Sequence, residues 1–127
     1  MTAYELNDLM MSWYSMMGQD ANMYLALVSG YLITAYSIGD KLSLVQVMII
    51  NIFFAVWAGS HVLAIFSEMV AVLDIQAMLI DMEAYSFQSP DQTMFLASLF
   101  AAIQLGGIIA ALYFMWTVRH PATQRGQ

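Results

Sequence analysis

Apolar positions along the chain fall into three long blocks separated by shorter mixed stretches, and the two kinds of segment carry different patterns. A helix that crosses a hydrocarbon core of about 30 Å needs about 20 mostly apolar residues. The first block of that order is 22–39, with Leu25, Leu27, Val28, Leu32 and Ile33. The second is 44–66, through Val47, Ile50, Phe54 and Trp57, and the third is 93–118, through Phe95, Leu99, Ile108 and Phe114. None alternates apolar with polar residues as the strands of a membrane barrel do. The pattern predicts an all-α membrane protein with three transmembrane helices.

The mixed stretches read as amphipathic helices. In 4–17, Leu6, Leu9, Met10, Trp13, Met16 and Met17 share one helical face, while Glu5, Asp8, Ser12 and Ser15 take the other. Such a helix suits either the plane of a leaflet or a protein surface; its acidic polar face favours protein at least as much as lipid. In 67–87, Glu68, Asp74, Asp81 and Glu83 punctuate an apolar run, and Asp74 and Asp81 share a face. No Gly or Pro interrupts 60–88, so the second span either continues as one helix beyond the membrane or bends at its surface. The expected packing sets the apolar face of 4–17 against that of 67–87. Ser89 and Pro90 look like the cap and first position of the third helix.

Charge then orients the chain. Three Lys and Arg stand against nine Asp and Glu, a formal net charge of −6. Nucleic acid is excluded as a partner, because phosphate binding needs clustered basic side chains. With three spans, Lys41, Arg119 and Arg125 fall on one side, and the other side carries acids only. The positive-inside rule places the N-terminus outside and the tail, 119–127, in the cytoplasm. The N-terminus has no basic region ahead of a short apolar core, so no cleavable signal is expected. Only 9% of residues are charged and 61% are hydrophobic, whereas a soluble domain carries about 25% charged residues. The bilayer is therefore the first partner.

Candidate contacts within the membrane follow from small and polar residues. Helices in lipid approach closely through small side chains. At four-residue spacing the first span offers Ala26, Gly30 and Thr34, the second Ala55 and Gly59, and the third Ser98, Ala102, Gly106 and Ala110. These ladders predict packing within a three-helix bundle or a seam with a second copy or another membrane protein. Asn51 and Gln104 lie near mid-membrane, where buried amides seek hydrogen-bond partners, and Tyr31 is positioned to join them. His61 is the ionisable group of the second span, near its outer edge, with Glu68 seven residues on along the same face. That spacing suggests a proton-responsive pair, set against a plain interfacial histidine bonded to Ser60 or water. A single histidine with no second ligand at a recognisable spacing does not suggest haem or zinc.

The chain has no cysteine and twelve methionines. Met10, Met11, Met16, Met17 and Met23 invite a thioether copper site, but they coincide with apolar surface that methionine fills for packing reasons. No cofactor and no metal is expected. Nor is there a Gly-rich phosphate loop, a Ser/His/Asp set or a carboxylate dyad in the sequence, so no enzyme is predicted.

The stretch Gly30-Tyr31-Leu32-Ile33-Thr34-Ala35-Tyr36, with Gly39-Asp40-Lys41-Leu42-Ser43 and Val45-Gln46-Val47 after it, resembles a group of small three-span bacterial membrane proteins of unassigned function. The resemblance implies a bacterial inner-membrane setting and no particular activity. The leading expectation is a non-enzymatic accessory or assembly subunit acting through helix contacts. The alternatives are a small oligomeric, holin-like pore and a pH- or ion-responsive sensor built on His61 and Glu68.

Overall fold

The computed structural model describes residues 1–84 and 89–121. Three helices form an antiparallel bundle: α1 (Ala3–Ile38), α2 (Leu44–Asp81) and α3 (Pro90–Arg119). Each is long and apolar enough to cross a membrane. Each also starts on a reciprocal capping box, Thr2 with Glu5, Ser43 with Gln46, and Ser89 with Gln92. In each box two amide donors that the helix cannot satisfy internally find side-chain acceptors. Pro90 occupies the first turn of α3, where its missing N–H costs nothing.

The segments 4–17 and 22–39 belong to one helix: α1 runs through Gly18 to Ala21 without a break. Polar residues there do not end a helix when an apolar stripe continues on both sides. Likewise α2 carries the second span and the mixed segment after it in one rod, ending at Asp81. Glu83 then takes a left-handed conformation (φ 54°) as the chain turns away. Positions 85–87 of the predicted extension, and 122–127 of the tail with Arg125, lie outside the described residues.

At 1.5 Å per residue, α1 and α2 are about 54 and 57 Å long and α3 about 45 Å. All exceed a core of about 30 Å. The tight 39–43 connection and the end of α3 mark one end of the bundle, here the turn end. The starts of α1 and α3 and the end of α2 mark the other, the acidic end. Because α3 is the shortest, α1 and α2 extend past it at the acidic end.

The core divides accordingly. Toward the turn end all three helices contribute, with Tyr24, Tyr31, Phe54, Ala58, Ile108 and Met115 among the buried residues. At the acidic end, Leu6, Met10 and Met17 of α1 pack on Ile65, Val72, Ile75 and Leu79 of α2. The apolar faces of 4–17 and 67–81 thus meet. Elsewhere the exterior is greasy: Leu25, Ile33, Phe53, Val56, Leu63 and Ile109 are each more than half exposed. Water would not tolerate such a surface, and acyl chains would.

Arg119 fastens the turn end. Its Nη1 donates to the carbonyl oxygens of Gly39 (2.9 Å) and Leu42 (2.6 Å), so the last turn of α3 caps the connection between α1 and α2. Gly39 itself is required there, since a Cβ would meet the Ala35 carbonyl and the Met115 sulfur.

Candidate functional site

The seam between the two cores holds the densest group of ionisable side chains within the packed region. Asp20 of α1 meets His61 of α2, with Oδ1 and Nδ1 2.5 Å apart. Glu68, two turns further along α2, lies close enough to the same Asp20 carboxyl group for the two to interact electrostatically. Asp20 and His61 are partly exposed, at 24% and 16% of their side chains, whereas Glu68 retains only 6%. One oxygen of Glu68 (Oε2) and the Nε2 of His61 are buried without a hydrogen-bond partner.

The position follows from the lengths of two antiparallel helices. Asp20 lies 19 residues before Gly39 and His61 18 residues after Ser43, both about 28 Å from the turn end at 1.5 Å per residue. That is the far edge of a hydrocarbon core of about 30 Å. The apolar stripes of α1 and α2 then hold these side chains face to face, with Met17 and Tyr24 buried on either side of Asp20.

The arrangement sets two carboxyl groups near each other and an imidazole against one of them. Like charges this close disfavour each other, whereas an imidazole with its proton on Nδ1 donates to Asp20 and leaves Nε2 as an acceptor. Among the described residues no group of three His, Asp or Glu side chains is arranged to hold a metal ion.

His61 and Glu68 therefore come together through Asp20, which His61 meets by a hydrogen bond and Glu68 faces electrostatically, rather than directly. Asp20 is the residue that sequence spacing missed: it lies 41 positions from His61. Its one sequence signal is depth, because an acid and a histidine equidistant from a tight turn are opposite each other.

The mid-membrane amides find different partners. The Tyr31 hydroxyl donates to Asn51 Oδ1 (2.6 Å), and its ring stacks on Phe54 at 4.0 Å between centroids, joining α1 to α2. The Tyr24 hydroxyl donates to the backbone oxygen of Gln104 (2.5 Å), joining α1 to α3. Both atoms of the Gln104 carboxamide are buried without a partner.

The small-residue ladders are displaced from the bundle interior. Ser98, Ala102, Gly106 and Ala110 all face outward, as do Ala26 and Gly30, while Ala55 and Gly59 lie half-buried on the flank of α2. A Cβ at Gly30, Gly59 or Gly106 would meet nothing within 4 Å. The small residues that do face inward sit one position over: Ala35, Ala58, Ala97 and Ala111 are buried. One residue is a rotation of about 100° on a helix of 3.6 residues per turn, so a ladder's spacing cannot identify the contact face where neighbouring positions are also small. Gly107 is the inward glycine of its pair, with the Tyr24 hydroxyl lying where a side chain would go.

The methionines likewise divide. Met10 and Met17 are buried in the acidic-end core, whereas Met11, Met16 and Met23 are exposed, so the five do not converge. No family model, curated protein or solved structure matches the chain.

Proposed function

We propose that this protein is a proton-responsive integral membrane protein, in which the charge state of Asp20, His61 and Glu68 sets how tightly the outer half of α1 is held to α2. The observation that carries this reading is the convergence of three ionisable groups from two helices at the edge of the apolar zone. Ionisable residues placed there are expensive and are usually retained for a function. The acidic-end core involves α1 and α2 without α3, so a change at its base has a lever about 25 Å long to act on at 1.5 Å per residue. In this reading the protein sits in a bacterial inner membrane. Lys41 and Arg119 mark the cytoplasmic end and the acidic end faces outward, where external pH reaches the cluster.

The test uses the absence of native cysteine. Nitroxides attached at Met11→Cys and Met78→Cys, both on exposed positions, report the separation of α1 and α2 in vesicles by dipolar spectroscopy. The distance distribution should change between about pH 4 and pH 8, the ordinary range of carboxyl and imidazole titration. Asp20→Asn should flatten that change. A distribution independent of pH in the parent protein would end this reading.

The outward ladder of α3 supports a second reading, an accessory or assembly subunit. Ser98, Ala102, Gly106 and Ala110 form a smooth exposed stripe on which another membrane helix fits closely. Gly106→Leu should then dissociate a complex that survives mild detergent, and an unchanged complex would count against it.

A further inference from the structure

A cleft between α1 and α2 runs along the side of the bundle away from α3, and the ionisable cluster stands at one end of it. Leu27 lies seven residues from Asp20 toward the turn end, on the same face of α1. On α2, Trp57 and Phe54 lie four and seven residues from His61, again on a shared face. Leu27, Gly30, Tyr31, Phe53, Phe54 and Trp57 line a cavity of about 360 Å³ there, built from α1 and α2 alone. Gly30 leaves room in it, since a Cβ at that position would meet nothing within 4 Å. Counted from Gly39 and Ser43, Trp57, Leu27 and Tyr31 lie about 21, 18 and 12 Å from the turn end at 1.5 Å per residue. The cavity thus begins about 7 Å below the level of Asp20 and His61 and reaches mid-membrane.

The two ends of this cleft differ in chemistry. At the membrane edge part of the Asp20 carboxyl group is open to its surroundings, with Glu68 behind it. Among the described residues the only Lys and Arg are Lys41 and Arg119, both at the turn end and about 28 Å away. Below that edge the walls are aromatic. Tyr31 stacks on Phe54, its hydroxyl is taken by Asn51, and the Thr34 hydroxyl beside it is taken by the Gly30 carbonyl. Small-molecule sites combine apolar and aromatic walls with a few placed polar groups, in volumes of about 300–1,000 Å³. A negative anchor above such a cavity suits an amphiphile with a positive head and an apolar tail.

We propose that the cleft between α1 and α2 binds a cationic amphiphile from the leaflet at the acidic end, its amine or quaternary ammonium head at Asp20 and its tail in the aromatic cavity. An anionic head would meet the carboxyl groups of Asp20 and Glu68 and be repelled. A neutral acyl chain would fill the cavity with no charge to hold it at one level. A membrane helix carrying Lys or Arg satisfies the charge, but the volume matches a small molecule. The inference rests on the proton-responsive reading in one respect, that the Asp20 carboxyl group stands ionised at the membrane edge, and it adds a ligand class to that site.

The chain has three tryptophans, so Trp13→Phe with Trp116→Phe leaves Trp57 as the one fluorescent reporter, inside the cavity. The protein is placed in phosphatidylcholine vesicles, whose surface has no net charge to concentrate a probe, at about pH 8, above the ordinary carboxyl range. Dodecyltrimethylammonium brominated along its tail should quench Trp57 saturably, at a several-fold lower membrane content than the same tail on a sulfate head. Asp20→Asn should raise the half-quenching content several-fold, to the level of the sulfate probe. Gly30→Leu fills the cavity and should abolish saturable quenching while leaving the pH-dependent α1–α2 distance unchanged. Quenching equal for both heads and proportional to probe content would mean ordinary acyl chains in the cleft and would overturn the proposal. An Asp20→Asn curve identical to the parent's would overturn it too. So would a Trp57 that neither probe quenches, the result if a helix of another protein or of a second copy closes the cleft. A pH-independent distance alongside saturable quenching that depends on Asp20 would end the proton reading alone. Circular dichroism confirms that each variant keeps its helices.

Discussion

Replacing Asp20 by Ala removes the one residue that both other members of the cluster contact, and the structure sets the size of the effect. The hydrogen bond to His61 Nδ1 is lost, and Glu68 loses its neighbouring carboxyl group. Bonds involving a charged group contribute about 1.5–3 kcal/mol each in folded proteins. Two facts reduce the sum: a quarter of the Asp20 side chain is exposed, and side-chain couplings between membrane helices average only about 0.6 kcal/mol, with a maximum near 1.7. One fact raises it, because Glu68 is left 94% buried with no acid beside it, and stranding a buried polar group costs about 1–3 kcal/mol. The expected loss is about 3 kcal/mol, dominated by the stranded Glu68. Reversible unfolding in mixed micelles measures it. A double-mutant cycle with His61→Ala separates the Asp20–His61 term, expected at about 1–2 kcal/mol. A further consequence is specific: Asp20→Ala combined with Glu68→Leu should recover part of the stability, because the stranded group is gone and an apolar replacement is tolerated. A loss below about 0.5 kcal/mol, the range of ordinary surface substitutions, would refute the claim that these groups form a coupled unit.

Two glycines that adjoin in sequence should behave oppositely. Gly107→Ala places a methyl group on the Tyr24 hydroxyl, breaking its bond to Gln104 and costing about 1–2 kcal/mol. Gly106→Ala meets nothing and should be neutral or stabilising by up to about 1 kcal/mol through helix propensity; thermal melts in detergent compare the two, and equal effects would show that the assigned facing of α3 is wrong. At the turn end, Arg119→Ala deprives the Gly39 and Leu42 carbonyls of their donor. Its cost should be about 1.5–3 kcal/mol, with faster amide exchange across 39–43 as the local signature; unchanged exchange there would mean that Arg119 does not secure the turn.

How far the sequence reached can be judged from individual residues. His61 and Glu68 stand seven apart on one helix, so their common face was legible from position alone. Ser89 and Pro90 identify the start of α3 by chemistry that is local to four residues. The same capping grammar is present at Thr2 with Glu5 and at Ser43 with Gln46. Asp20 was a different matter. It becomes a site residue only because α1 and α2 turn back on each other at 39–43 and continue as helices for the same number of turns. Nothing in its immediate neighbours distinguishes it from Asp8 or Asp74.

The sequence by itself determined the apolar solvent, the number of spanning helices and the start of α3, because length, hydropathy and capping are properties of a linear string; that 4–17 and 22–39 are one helix appeared only in the fold. It determined too that the apolar stripes of 4–17 and 67–81 would need covering. Tertiary structure alone decided which side of each helix does the covering. A rotation of one residue turns Ala110 to the outside and Ala111 to the inside, and in a chain this rich in small apolar residues both columns look alike. Only the joint packing of three helices, with Tyr24 seated on Gly107, Tyr31 bonded to Asn51 and Arg119 closing the turn, fixes those rotations. The same rotations leave an acid, an imidazole and a second acid facing one another at the membrane's edge.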